Sequence, residues 1–242
     1  MISSSQPNCY PRQKTSGFPQ QIWLIATLLA VLAPTTILFS PQIGAATDGI
    51  KYRPPTRGDT RRTEGSGSRG CNKNTVSLNL LIPADHLPLT VSSHPKFLWY
   101  VSDTSSPVRF TLVEQGIAKT LLDKRFTPEK PGIVELQLPD SSPGLEIGKN
   151  YRWTVSIICS ASRSSENIYA MGRISRIPMS DELKVNKKLA IADSKQRAMI
   201  YADAGVWYDA LSTSFESPDK SYFFSLLDQI NLNNVAQKIG QP

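Results

Sequence analysis

Residues 145–153 read LEIGKNYRW, and this segment decides the fold that we expect. A leucine and a glycine precede Tyr151, which opens a stretch of alternating apolar and polar residues. The pattern is typical of a tyrosine corner, in which a tyrosine near the start of a strand bonds back to the backbone a few residues upstream. We expect the Tyr151 hydroxyl to bond near Leu145 or Glu146 and to lock the corner between two sheets. This predicted role is structural.

The region around this segment alternates in the same way. Between residues 74 and 177, short alternating stretches are separated by Pro, Gly and Ser at the spacing typical of a β-sandwich, and none has convincing helical periodicity. The tyrosine corner resembles that of fibronectin type III domains. We therefore predict a mainly β fold for residues 71–178, an Ig-like or fibronectin-III-like antiparallel β-sandwich. The seven predicted strands are residues 76–80, 97–102, 108–112, 117–123, 133–138, 151–158 and 168–177.

Two tryptophans are the largest candidates for the core of this sandwich. Trp99 and Trp153 belong to two separate predicted strands, and each is one of the every-other residues that share a face of its strand. Burying a ring of this size stabilises a fold by several kcal/mol, at about 25 cal/mol per Å2 of apolar area. We expect both side chains to be structural.

After Pro178 the pattern changes to helical spacing. Ser180 can cap a helix that opens with two acids, and Gly205 ends this helical stretch. Residues 179–242 are thus predicted to form a small α-helical tail. The predicted helical segments are residues 181–204 with a break near 193–194, residues 206–216, a segment after the Ser-Pro-Asp sequence at 217–219, and a last turn at 235–239.

The sequence leaves two interpretations of Trp207 open. This residue directly follows the break at Gly205, where a large ring can fill the angle between short helices that are marginally stable alone. We expect it to pack between the sandwich and the helices. The alternative is that Trp207 and Tyr208 form an exposed patch that binds a partner.

The N-terminus has the pattern of a secretory signal. No charged residue occurs between Lys14 and Asp48, and the apolar run 22–39 is preceded only by basic charges and followed by small residues at 44–46. Residues 1–46 are therefore predicted to be a signal peptide that is removed on export to the periplasm or the cell exterior. An uncleaved membrane anchor is the alternative, but Pro34 leaves an apolar core that is short for a membrane span.

Residues 47–70 carry six basic and three acidic residues and are rich in Gly, Ser and Pro. Such a composition buries too little apolar surface to offset the entropy of ordering, so we predict a disordered basic linker. A weak contact with anionic envelope polymers or lipid headgroups is the alternative. The formal net charge of the whole chain is +7, and without a basic folded face interleaved with aromatic residues we expect no nucleic-acid partner.

The three cysteines reduce to two once the predicted signal is removed, because Cys9 lies within it. In an oxidising compartment, a lone pair of thiols without a C-x-x-C spacing indicates a structural disulfide. We predict a disulfide between Cys71 and Cys159. Chain-entropy arguments give a loop of this length about 4–5 kcal/mol of stabilisation.

Candidates for chemistry are few. The two histidines, His86 and His94, lie in a proline-rich connection between early strands. A metal site or a catalytic dyad is one interpretation, and a solvent-exposed loop histidine is the commoner case. The sequence contains no G-x-S-x-G motif and no phosphate-binding glycine loop. We therefore predict no catalytic, cofactor-binding or metal-binding residues.

Exposed aromatic rings are a second route to function. Tyr100 and Tyr169 are candidates for outward-facing positions on the sandwich, where a row of rings could hold a sugar. The stronger interpretation is that the aromatic residues of this chain serve the core.

Several segments occur here in a recognisable combination. They are a cysteine after the Arg-Gly at 69–70, residues 95–100 (PKFLWY), 131–133 (PGI) ahead of 138–139 (LP), 148–159, 172–174 (GRI), 201–202 (YA) and 205–210 (GVWYDA). With the signal and linker, they resemble the cyanobacterial family catalogued as domain of unknown function 928, from about Gly70 to the tail. The resemblance implies an exported cyanobacterial protein. It implies no activity and no site residues.

The expected function is that of a non-catalytic module of the cell envelope that binds a protein partner. A carbohydrate-binding protein and an envelope hydrolase are the alternatives. A flat strip of exposed aromatic rings would favour the first alternative, and exposed carboxylates in a cleft would favour the second.

Overall fold

The structure, a computed structural model, describes residues 49–54, 76–103, 105–117, 120–184 and 193–240. Within them the chain is mainly β, with sheets of three and five strands followed by C-terminal helices. None of the helices in these residues is long and apolar enough to cross a membrane. The predicted signal peptide, residues 1–46, lies outside the described residues.

Eight strands make up the two sheets in the described part of the chain. They are β1 (Leu78–Leu80), β2 (Leu89–Thr90), β3 (Lys96–Val101), β4 (Val108–Glu114), β5 (Thr120–Phe126), β6 (Gly132–Gln137), β7 (Asn150–Ile157) and β8 (Ile168–Arg176). The smaller sheet has the order β1-β3-β6, and the larger has the order β2-β8-β7-β4-β5. Neighbouring strands are antiparallel except for β2 and β8, which are parallel.

Two strands differ most from the sequence prediction. β2 is absent from that prediction because its two residues, within a proline-rich segment, are too few to show alternation. β5 begins at Thr120, later than the predicted start at Ile117. Gly116, with a φ of 85°, makes the turn after β4, so Ile117 lies exposed in the turn instead of in the strand.

The core between the sheets is built from aromatic rings. Phe97 and Trp99 of β3 face rings of β4 and β7. The centroids of Phe97 and Trp153 are 5.1 Å apart, and those of Trp99 and Phe110 are 6.0 Å apart. Aromatic pairs at such separations add to the stabilisation that burial provides. The structure thus places both Trp99 and Trp153 in the core between the sheets.

A glycine in β8 leaves the room that this core requires. A Cβ atom at Gly172 would lie 2.5 Å from Cδ1 of Ile82 and 2.9 Å from Nε1 of Trp153. Separations this short would force the neighbouring side chains to move. The absence of a side chain at Gly172 therefore allows the Trp153 ring to lie directly against β8.

Tyr151 makes a corner at the start of β7. Its hydroxyl oxygen accepts a hydrogen bond from the Glu146 backbone N–H at 2.9 Å, at one of the two positions expected from the sequence. The ring is buried, and burial raises the pKa of Tyr151. Gly148, with a φ of 81°, makes the turn, and its N–H donates to the Arg176 carbonyl oxygen at 2.8 Å. The corner therefore holds the start of β7 against the end of β8.

Four α-helices are complete within the described residues, residues 181–184 are also helical, and a short 3-10 helix (Ser164–Glu166) lies between β7 and β8. The Asp193 side chain caps the first of the four by accepting a hydrogen bond from the Lys195 N–H at 2.9 Å. Gly205, with a φ of 73°, separates the first two. The four are α1 (Ser194–Asp203), α2 (Trp207–Glu216), α3 (Ser221–Gln229) and α4 (Asn233–Lys238).

α3 begins at Ser221, shortly after the Ser-Pro-Asp sequence at 217–219. The Asp219 side chain accepts a hydrogen bond from the Ser221 N–H at 2.8 Å. Asp219, two residues before the helix, therefore caps its N-terminus. Asp219 also pairs with Lys195 of α1, which joins the starts of the two helices. Two hydrogen bonds lower the pKa of Asp219 to about 2: the one from the Lys195 ammonium group has the larger effect, and the one from the Ser221 N–H adds to it.

The helices cover the outer face of the smaller sheet. Leu98 and Tyr100 of β3 alternate with the core residues and so point away from the core, yet both are buried, with Tyr100 only 7% exposed. Lys96, on the same face, pairs with Glu216 of α2 at 2.7 Å. The alternation predicts the face of Tyr100 correctly, but the expected exposure is wrong because the helical layer lies over it.

Residues 49–54 form a segment that we call the N-terminal strap, which lies against the helices. The Tyr52 N–H donates to Oε1 of Gln229 in α3 at 2.8 Å. The Arg53 N–H donates to the Ala202 carbonyl oxygen in α1 at 3.0 Å. The backbone of the strap is therefore hydrogen-bonded to two different helices, α3 and α1.

The strap differs from the disordered linker predicted for residues 47–70. Ile50 and Tyr52 supply two apolar side chains at alternate positions, and both are buried. The prediction uses the average composition of the whole linker, in which these two residues have little weight. Residues 55–70 lie outside the described residues, and for them the linker stays a prediction.

Candidate functional site

Trp207, at the start of α2, is fully buried, with 0% of its surface exposed. Its indole Nε1–H donates to the Leu81 carbonyl oxygen at 3.0 Å. Its ring meets the Tyr52 ring of the strap nearly at right angles, with the centroids 4.8 Å apart. Trp207 thus connects α2 with the strap and with the chain that follows β1. The alternative prediction, that Trp207 is part of an exposed partner-binding patch, is wrong.

Tyr208 is buried beside it and bonds into the core. Its hydroxyl oxygen accepts a hydrogen bond from the Trp153 Nε1–H at 2.7 Å, and its proton is donated to the Arg173 carbonyl oxygen at 2.8 Å. Burial raises the pKa of Tyr208 well above its usual value. The hydroxyl therefore stays protonated at neutral pH and gives the buried indole of Trp153 its partner.

The two histidines lie in different surroundings. His86 is 2% exposed, so the expectation of a solvent-exposed loop histidine is wrong for this residue. Its Nδ1 lies 2.8 Å from Oδ1 of Asp85, and its Nε2 lies 2.7 Å from the Tyr52 hydroxyl. His94 is half-buried, with Nε2 3.3 Å from the Ser142 carbonyl oxygen. In the described part of the chain, no group of three or more His, Cys, Asp or Glu side chains could hold a metal ion.

Asp85, His86 and Tyr52 form a chain of hydrogen bonds that fixes the strap. With a neutral ring, His86 Nδ1–H donates to Asp85 and Nε2 accepts the Tyr52 hydroxyl proton. Burial raises the pKa of Tyr52, and the Asp85 carboxylate raises it further. This hydroxyl therefore stays protonated at neutral pH and is not a nucleophile. Because Tyr52 also packs against Trp207, the chain of bonds has a structural role.

A polar cleft of about 180 Å3 contains carboxylates of the kind that a hydrolase would use. Asp209 accepts hydrogen bonds from Thr90 Oγ1 at 2.8 Å and from the Val91 N–H at 3.2 Å. Glu216 pairs with Lys96. Both carboxylates thus hold α2 against the chain of β2 and β3, which is a structural use of these side chains.

The two tyrosines considered for a sugar platform do not lie together. Tyr169, in β8 of the larger sheet, is 46% exposed, as an outward-facing ring should be. Tyr100 belongs to the smaller sheet and is covered by the helices. The pair therefore does not make a flat exposed strip.

Cys159 lies just after β7 and is half-buried. Its backbone N–H donates to Oδ1 of Asn167 at 3.0 Å, which fixes the chain at the end of the strand. Cys71 lies outside the described residues, so the disulfide between Cys71 and Cys159 stays a prediction.

A groove of about 440 Å3 lies on the outer face of the smaller sheet, beside β6; we call it the β6 groove. Tyr100 and Ile133, which are paired in register between β3 and β6, form its sheet side. Phe215, Phe223 and Phe224 form much of its helix side. Ile133, Phe215 and Phe224 are only half-buried, so apolar surface remains accessible within the groove.

Three lysines, Lys130, Lys220 and Lys238, also line the β6 groove. Lys220 donates to the Phe215 carbonyl oxygen, and its Nζ lies 4.6 Å from the centre of the Phe215 ring. Nζ of Lys238 lies 5.9 Å from the centre of the Tyr100 ring. No Asp or Glu is among the described residues that line the groove, and none of the three lysines pairs with a described carboxylate. The groove is therefore apolar at its base and positively charged.

A larger cavity of about 540 Å3 lies beside the strap and α1. Its lining carries both signs of charge, from Lys51 and Arg53 and from Glu182 and Asp203. Arg53 Nε lies 2.8 Å from an Asp203 oxygen, so these two charges already compensate each other. This cavity consequently has no preference for a ligand of one sign, unlike the β6 groove.

The fold and the groove together describe a two-sheet β module with a helical layer that carries a lysine-lined apolar groove. A family model described as Domain of Unknown Function (DUF928) matches residues 64–239. The chain belongs to this family, so the family that the sequence motifs resemble is confirmed. No curated protein matches the chain.

Proposed function

We propose that the protein is exported to the cell envelope of a cyanobacterium, in the periplasm or outside the cell, and binds another envelope protein without catalysing a reaction. The β6 groove carries this proposal. It is concave, its base is aromatic and partly accessible, and its charge is of one sign. Protein-binding sites combine an apolar centre with a polar surround in this way, and helix-lined grooves are a recurring mode of peptide binding.

We infer that the two sheets form an Ig-like or fibronectin-III-like β-sandwich. With β2 set aside, the strands lettered A, B, C, C′, E, F and G in chain order give A-B-E in the smaller sheet and G-F-C-C′ in the larger. This strand order is similar to that of immunoglobulin constant domains, with one strand on the opposite sheet. The Tyr151 corner supports the same fold, since it lies at the start of strand F.

The basic segment before the sheets adds a second, weaker contact to the proposal. Residues 55–70 carry several arginines in a glycine-rich sequence. Such a segment is suited to a loose electrostatic contact with anionic polymers or lipid headgroups of the envelope.

Capture from the native envelope tests the binding function. The tagged protein should retain a specific partner after cross-linking, and Phe224→Glu should remove that partner because it places a charge on the apolar base of the groove. Ile147→Glu is the matched control, since Ile147 is 55% exposed and lies at the Tyr151 corner, outside the groove. If both variants retain the same partner, the β6 groove is not the binding site and the proposal fails.

Export has its own test. The protein recovered from its host should begin near Thr47, because the small residues before it fit the signal peptidase. Intact-mass measurement of the purified protein gives the N-terminus directly. A full-length form recovered from the inner membrane would show instead that residues 1–46 act as an anchor.

A further inference from the structure

We propose that the occupant of the β6 groove is an acidic segment of another polypeptide, which places an apolar side chain on the aromatic base and its carboxylates near Lys130, Lys220 and Lys238. This inference rests on the proposed function, for which it names the partner's chemistry. Three observations carry it: the place of the groove in the fold, the sign of its charge, and the kind of cation that it presents.

The place of the groove suits a short segment of chain. β6 ends the strand order of the smaller sheet, and in the described residues its one strand neighbour is β3. The groove begins at Gly132 and Ile133, the first residues of β6, and is closed on the other side by helices. Its volume of about 440 Å3 accommodates a few side chains and not a folded domain. An extended or helical segment fits this shape.

The charge of the groove selects the sign of that segment. Three lysines line it with no acid among the described lining residues. Cations near a partly desolvated apolar surface attract carboxylates more strongly than cations in open water do. A basic segment would meet like charges there and would be excluded.

The type of cation favours carboxylates of a polypeptide over a single fixed anion. The positive groups of the groove are lysines, and no arginine is among the described residues that line it. A lysine ammonium is a compact charge on a flexible stem, so it can follow carboxylates at varied positions, whereas bidentate recognition of one carboxylate or phosphate in a fixed place favours the guanidinium fork. Lys220 already donates one N–H to the Phe215 carbonyl oxygen and retains two others, which gives it a defined place beside the ring.

Selection from a library of random peptides tests the inference without knowledge of the natural partner. The probe is a displayed library of random twelve-residue segments, selected against the intact exported protein. The enriched segments should be rich in Asp and Glu around a Phe, Leu or Ile. One enriched peptide, made synthetically, should bind about tenfold or more weakly to Lys238→Glu, and its affinity should fall as salt is raised.

Matched variants and a second probe keep each outcome decisive. Lys124→Glu is the control, because Lys124 is exposed on β5 and does not line the groove. Enrichment of neutral or basic segments, or no enrichment, overturns the inference, as does equal binding by Lys238→Glu and Lys124→Glu. Vesicles with an anionic phosphatidylglycerol surface are the second probe, and binding to these vesicles in place of the peptides would assign the groove to a membrane surface.

The result also separates this inference from the proposed function. If the envelope partner is lost from Phe224→Glu but the enriched peptides are not acidic, the groove binds a protein and only the acidic chemistry is wrong. If Phe224→Glu keeps the envelope partner, the proposed function itself fails. Melting temperatures of all variants show whether any of them has lost its fold, and Lys130→Glu, at another exposed lysine of the groove, replaces a variant that has.

Discussion

Trp207→Ala should lower the free energy of unfolding by about 3–5 kcal/mol, the usual cost of truncating a core aromatic ring. The ring is fully buried, contacts Tyr52 of the strap, and donates its indole N–H to the Leu81 carbonyl oxygen. Its removal leaves a cavity between α2, the strap and the chain after β1, and it leaves that carbonyl without this donor. Urea unfolding measures the loss, and limited proteolysis should cleave the helical segment faster in the variant.

Trp207→Phe separates packing from hydrogen bonding. It keeps a ring in the cavity but removes the donor to Leu81, so the expected cost is smaller, about 1–3 kcal/mol for a buried acceptor left without its partner. A partner-binding patch made by Trp207 and Tyr208 would instead leave the stability unchanged. Equal stability of wild type and Trp207→Ala would therefore contradict the structural role.

The two-sheet architecture could be predicted because its signals are local. Alternation within a strand has a period of two residues, and the tyrosine corner spans only Glu146 to Tyr151. β2 escaped prediction because Leu89 and Thr90 are stabilised by pairing with β8, far along the chain, rather than by a pattern of their own. Non-local pairing of this kind leaves no trace within a short window of sequence.

The β6 groove could not be predicted because its parts come from separate elements. Tyr100 lies in β3, Ile133 in β6 and Phe224 in α3, and no pattern within a single element indicates that the three side chains meet. The position of the helical layer decides which of these side chains are covered. It buries Tyr100, which alternation places on the outer face, while Ile133 and Phe224 stay accessible.

The strap shows that a prediction made from average composition has the same limit. A basic, glycine-rich segment is expected to be poor in buried surface, yet two apolar residues within it are enough to dock its first part. Ile50 contributes a carbonyl that accepts from Gln229, and Tyr52 reaches His86. Neither partner is near the strap in sequence, so no local rule would pair them.

Tyr52→Ala should release the strap and lower the free energy of unfolding by about 3–5 kcal/mol. The substitution removes a buried ring from its contact with Trp207 and leaves the buried Nε2 of His86 without its hydroxyl partner. Urea unfolding measures the loss of stability. Hydrogen exchange should show the Arg53 N–H, bonded to Ala202 in the wild type, becoming unprotected. Retained protection at Arg53 would mean that backbone bonds alone hold the strap.

Tyr52→Phe isolates the hydroxyl, and its effect should depend on pH in a defined direction. Burial and the Asp85 carboxylate raise the pKa of Tyr52 in the folded protein, whereas the unfolded chain ionises near the usual value of about 10. Above that pH the folded state binds more protons than the unfolded state, so stability is lost as pH rises, by about 1.4 kcal/mol per pH unit for this group. Phenylalanine removes this dependence. The wild type should therefore be the more stable protein at neutral pH, and its advantage over Tyr52→Phe should shrink steadily above about pH 10. A constant difference in urea unfolding across that range would contradict the raised pKa of the buried Tyr52 hydroxyl.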